Sequence, residues 1–103
     1  MNHTIFQILL SLKDDARDAD GVLEAMRTHG GKQVVPALVS FYRGLKKASD
    51  SGFIRVLDAT KRGAPGRPRQ RYQMTRSGRY AMRTEAQRLG NLAAAALSDT
   101  KIS

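Results

Sequence analysis

Cysteine is absent from the 103 residues, which rules out disulfide bridges, thiolate catalysis and thiolate metal ligation and agrees with a cytoplasmic chain. Long apolar runs are also missing. Ile8 to Leu10 and Leu92 to Leu97 fall well short of the ~20 residues a membrane span requires, and Met1 to Leu12 has neither the basic start nor the cleavage-like site of a signal peptide. Aromatic residues are few, three Phe and three Tyr, and the phenylalanines sit at core-patterned positions. Acid is scarce as well, with nine Asp and Glu against 18 Lys and Arg.

The surplus of base is segregated along the chain. Residues 1 to 42 carry four Lys/Arg and five Asp/Glu, net −1, whereas residues 43 to 88 carry thirteen against three, net +10. A positive charge confined to one stretch suits a face that displaces counterions from a polyanion, and a phosphate backbone is the obvious candidate. The length allows one core and one domain over 1–103, so any ligand site must lie between elements or between subunits.

Periodicity divides the chain into four helices and a hairpin. Thr4 is suited to cap a first helix bearing Ile5, Ile8, Leu9 and Leu12 at helical spacing. After the polar stretch Lys13 to Asp20, Asp18 or Asp20 caps a second helix with Val22, Leu23 and Met26 inward, ended by Gly30 and Gly31. Gln33 to Val35 reads as a minimal strand. Pro36 suits the first turn of a third helix over 36–50, where Leu38, Phe41, Leu45 and Ala48 face inward until Gly52 ends it. Phe53 to Leu57 and Gln70 to Met74 alternate like strands around a Gly/Pro-rich connection, which predicts a hairpin with a basic tip. Thr75 caps a last helix in which Met82, Ala86, Leu89, Ala93 and Ala96 form a stripe at spacings of four and three.

The order helix, helix, helix, hairpin, helix is that of a winged helix-turn-helix. The expected fold is therefore α+β and mainly helical, with a winged-helix core over 4–74 and a C-terminal dimerisation helix over 75–98. In this arrangement the third helix enters the major groove of duplex DNA and the hairpin reaches backbone or minor groove. Ser40, Arg43 and Lys46 are placed to meet base edges, with Arg43 suited to guanine O6 and N7. Lys47 and Tyr42 are expected at phosphate, although packing explains Tyr42 equally well. In the wing over 60–71 the candidates are Lys61, Arg62, Arg67, Arg69 and Arg71. Pro68 stiffens the tip, so that Arg67 and Arg69 are presented at low entropic cost to a narrow minor groove.

Tyr42-Arg43-Gly44-Leu45, Gly52-Phe53-Ile54 and the run Gly66 to Arg79, which holds Gly-Arg-Pro-Arg and Tyr72-Gln73-Met74-Thr75 with Gly78, together resemble the PadR family of winged-helix regulators. The resemblance covers roughly residues 40 to 85. Departures fall at Ala48, Ser49 and Met74, where that family usually has leucine, glutamate and leucine, and at Val22, where it often has an aromatic. The resemblance implies a homodimeric transcriptional repressor, and in the family repression is relieved by small hydrophobic effectors near the dimer interface. No other feature of the sequence supports an effector.

Other chemistries fit less well. Asp18-Ala19-Asp20-Gly21 has the look of a calcium loop, but Ala16 and Arg27 stand where the first and twelfth ligands belong. His3 and His29 have no ligand-like spacing, so no metal or cofactor is called for. Asp14 and Asp15 lack a nucleophile or base in pattern, and an enzyme is the class with least support. A winged helix can also serve as a protein-docking module, since fold alone does not fix function. RNA binding is a further alternative, disfavoured by the small number of aromatics available for stacking single-stranded bases.

Overall fold

The computed structural model describes residues 1–30, 37–57 and 70–98, with side chains omitted at His29 and Gly30. The elements are α1 (His3–Ser11), β1 (Arg17–Asp18), α2 (Ala19–Gly30), α3 (Leu38–Asp50), β2 (Ile54–Leu57), β3 (Arg71–Met74) and α4 (Arg76–Leu97). The strands form an antiparallel sheet of order β1-β3-β2. Helices followed by a small sheet with a hairpin, then a closing helix, make the winged helix-turn-helix read from the sequence. The strand expected at Gln33 to Val35, Pro36, and the connection from Lys61 to Arg69 lie outside the described residues.

The first helix begins earlier than its pattern suggests. Asn2, rather than Thr4, is the cap, its Oδ1 accepting from the amides of Thr4 at 2.7 Å and Ile5 at 3.3 Å. An Asx side chain one residue ahead of the helix accepts these otherwise unpaired donors more readily than Thr4, already inside the first turn. Two arginines close the other end. Arg17 Nε donates to the Ser11 carbonyl at 2.8 Å and Arg79 Nη2 to the Lys13 carbonyl at 2.8 Å, satisfying acceptors left open where α1 stops.

Of the two caps considered for α2, Asp18 is the one used, its Oδ1 accepting from the Gly21 amide at 2.9 Å. Asp18 also belongs to β1, which pairs Arg17 with Tyr72 and Asp18 with Arg71. A two-residue strand leaves no periodicity to read, and the polar run around it was expected to be loop.

One core joins every helix and the sheet. Ile5, Ile8, Leu9 and Leu12 of the α1 segment meet Val22 and Met26 of α2, Phe41, Leu45 and Ala48 of α3, Ile54 of β2 and Met82 of α4. Phe41, Ile8 and Leu9 are fully buried, each burial stabilising the fold by about 1.5–3 kcal/mol. At Gly44 a Cβ would stand 3.0 Å from Thr4 Cγ2 and 3.1 Å from Ile8 Cδ1, so the missing side chain lets α3 lie close against α1.

The tightest joint links α3, the sheet and α4. The amide of Gly52 donates to Ser49 and that of Phe53 to Ala48, with Gly52 turning the chain at φ +80°, where side chains other than glycine's are strained. Phe53 then accepts from the Thr75 amide at 3.0 Å. Thr75 Oγ1 donates to the Gly52 carbonyl at 2.6 Å and accepts from the Gly78 amide at 3.0 Å, thereby capping α4. Gly78 lies so close that a Cβ would sit 2.1 Å from the Phe53 oxygen.

Backbone cannot yield as a flexible side chain would, so Gly78→Ala is expected to lower unfolding free energy by about 3 kcal/mol. Gly90→Ala, which meets nothing within 4 Å, should raise it by up to about 1 kcal/mol through helix propensity. Paired urea titrations check both; equal stabilities for the two variants would remove the Gly78 contact as a determinant of the fold.

Candidate nucleic-acid interface

Helix α3 buries Phe41, Gly44, Leu45 and Ala48 on one side, and helical periodicity puts Val39, Arg43, Lys46 and Asp50 along the opposite ridge. All four of these ridge residues are exposed. On one flank Ser40, Arg43, Gly44 and Lys47 line a shallow depression of about 280 Å³ with Asn2, Thr4 and Ile5 from the start of α1. On the other, Tyr42, Leu45, Lys46, Ser49 and Asp50 line one of about 310 Å³ with Val56 and Tyr72 of the sheet. The residues expected from sequence at this helix thus divide between two sides: Ser40, Arg43 and Lys47 toward α1, Tyr42 and Lys46 toward the wing.

The two sides differ electrostatically. Arg43 and Lys47 have no acidic partner among the described residues, and the hydroxyls of Ser40 and Thr4 stand beside them. Lys46 Nζ is held 3.1 Å from Asp50 Oδ2, so the ridge there is close to neutral. An exposed pair of this spacing contributes only ~0.3–0.5 kcal/mol and can open when a polyanion competes. Net positive charge is therefore concentrated on the α1 side of α3. Tyr42, half exposed, packs edge to face on Phe41 with ring centroids 5.0 Å apart. Burial, and secondarily the neighbouring Tyr42, push the Tyr72 phenol above its ordinary ionisation range.

Of the wing candidates, Arg71 is exposed at the first residue of β3, its Nη2 only 3.5 Å from the Ala16 carbonyl, a weak contact. Lys61, Arg62, Arg67 and Arg69 lie outside the described residues. Arg55 was not singled out from sequence. It lies opposite Gln73 on β3, and its Nε and Nη2 donate to Gln73 Oε1 at 2.9 and 2.6 Å on the exposed side of the hairpin. Alternation alone puts Arg55 on the same face as Phe53 and Leu57, so nothing in the spacing marked it as exposed.

The stripe on α4 is divided by the structure. Met82 is 5% exposed within the chain's own core, a correction to its expected place in an intersubunit seam: the first turns of α4 pack on α1 and β3, and Met82 falls within them. Glu85, also buried, is bound by Arg88, whose Nε and Nη2 donate to its two oxygens at 3.0 and 2.5 Å; this holds the carboxylate below its usual range. Beyond that turn the same side continues uncovered through Ala86, Ala93 and Ala96, with Leu89 half-buried and Leu92 exposed.

Among the described residues no three His, Cys, Asp or Glu side chains form a group that could hold a metal ion, and no helix is long and apolar enough to cross a membrane. Neither models of protein families nor curated protein sequences match this chain. Solved structures do. A PadR family transcription regulator from Clostridium difficile superposes with a TM-score of 0.78 at 14% identity, over 91% of this chain and 94% of the other. A transcriptional regulator from Clostridium thermocellum gives 0.75 at 13% identity, over 94% and 91%. PadR of Bacillus subtilis, solved in complex with operator DNA, gives 0.70 at 19% identity, over 99% of this chain and 51% of its own.

The class defined by the helices, hairpin and closing helix is the winged helix-turn-helix. Within that class the fold is PadR-like, shared with these regulators along nearly the whole chain.

Proposed function

We propose that this chain is a sequence-specific regulator of transcription that binds double-stranded DNA as a homodimer and acts as a repressor. The observation that carries the reading is the exposed ridge of α3 with Arg43, which has no acidic partner among the described residues, flanked by a basic depression that Arg43 and Lys47 share with the start of α1. A major groove about 12 Å across admits an α-helix, and the basic flank suits one phosphate strand at its edge. The operator complex formed by Bacillus subtilis PadR, a protein of the same fold, supports DNA as the partner. A cytoplasmic location follows from that partner.

Affinity comes mainly from phosphate neutralisation by Lys47 and the wing residues Lys61, Arg62, Arg67, Arg69 and Arg71. Specificity comes from Ser40, Arg43 and Lys46, the last after release from Asp50. Tyr42, beside the wing, donates its hydroxyl to a phosphate. The uncovered side of α4, with Ala86, Leu89, Ala93 and Ala96, joins two copies so that paired α3 helices meet half-sites about one helical turn apart.

Selection of bound sequences from random duplexes tests the central statement. A defined motif is expected, and on that duplex Arg43→Ala should lose ~1–3 kcal/mol, with a smaller loss on unrelated duplex. Failure to enrich any motif would favour a docking role instead. For the dimer, Ala93→Glu puts two like charges across the seam and should weaken self-association by several kcal/mol in sedimentation equilibrium. An unchanged association constant would take the stripe out of the interface.

A further inference from the structure

The start of α3 carries apolar surface that is not packed into the core among the described residues. Leu38 is 60% exposed and Val39 65%, while the four core residues of the same helix are buried. Val39 lies on the ridge itself, one turn ahead of Arg43, in line with Lys46 and Asp50. Leu38 sits round the helix on the wing side. A β-branched residue has no propensity advantage in an exposed helical turn, so Val39 gains nothing locally from being there.

We infer that Val39 is a specificity determinant that reads the C5 methyl of a thymine, an inference that rests on the DNA-binding reading above. In the major groove the four base pairs present donors, acceptors and one apolar group, the thymine methyl. An isopropyl group on the ridge has no polar atom to offer and can match only that group. Arg43 is four residue steps from Val39 along the helix, an axial rise of about 6 Å, against about 3.4 Å per base step. If Arg43 takes a guanine, the thymine read by Val39 lies within about two base pairs of it.

The experiment replaces thymines of the selected duplex one at a time with deoxyuridine, which removes the methyl and leaves pairing intact, and measures binding by fluorescence anisotropy. Wild type should lose about fourfold in affinity at one thymine per half-site, the worth of one apolar carbon group, and that position should lie within two base pairs of the guanine to which Arg43→Ala loses preference. Val39→Ala, at an exposed position where folding is not at stake, should bind the thymine and uridine duplexes equally. A wild type indifferent to every uridine, or a Val39→Ala protein with the same uridine penalty, overturns the inference while DNA binding stands. A chain that selects no duplex at all overturns both.

Discussion

The approach of Gly78 to the Phe53 carbonyl, with Thr75 bonded to both sides of the joint, is the contact through which α3, the hairpin and α4 are held in one arrangement. Thr75 caps α4 with the same hydroxyl that it donates to the Gly52 carbonyl, and its amide fixes Phe53 where β2 begins. Gly52 and Gly78 each make room for this, one by turning the chain at positive φ and one by offering no side chain. Each hydrogen bond contributes only about 1 kcal/mol, but the steric constraint at Gly78 is larger and admits little adjustment. The direction in which α3 presents its ridge relative to the wing is therefore fixed by backbone rather than by long side chains.

Two groups of basic side chains have different tasks. Arg17 and Arg79 satisfy the carbonyls where α1 ends, and Arg88 binds the buried Glu85. Of these three, Arg88 has its charge offset by a carboxylate. Arg43 and Lys47 have no acidic partner among the described residues, and they share a concavity with the start of α1. Electrostatic attraction concentrated on one flank of α3 orients an approaching polyanion and leaves the ridge residues to discriminate.

Much of this architecture was legible in sequence because helix periods and turn residues are local signals. Ile5 to Leu12, Phe41 to Ala48 and the Thr75 cap could be placed from spacing alone. Three features were hidden for physical reasons. Strand β1 is only two residues long and exists through pairing with β3, a contact distant in sequence. The Asn2 cap stands three residues ahead of Ile5, the first apolar residue of the helical pattern, so the pattern began too late to reveal it. Met82 carries the same period as Ala86 to Ala96, and periodicity cannot tell whether a stripe is covered by its own chain or by another. For the candidate site, the charges on α3 were evident, but their division into Arg43 and Lys47 facing α1, without an acidic partner among the described residues, and a Lys46–Asp50 pair on the ridge required the folded geometry. Leu38, which its spacing with Phe41 and Leu45 placed inward, is 60% exposed, because spacing cannot tell how far along a helix the core reaches.

Amide hydrogen exchange of the intact protein, with and without the duplex selected from a random pool, tests most directly whether the α3 ridge and its α1 flank form the nucleic-acid face. The account predicts added protection from Leu38 to Lys47 and from Asn2 to Ile5, with the exchange of Glu24 to Thr28 on α2 unchanged. Protection confined to α4, or none on α3 at saturating duplex, would contradict it.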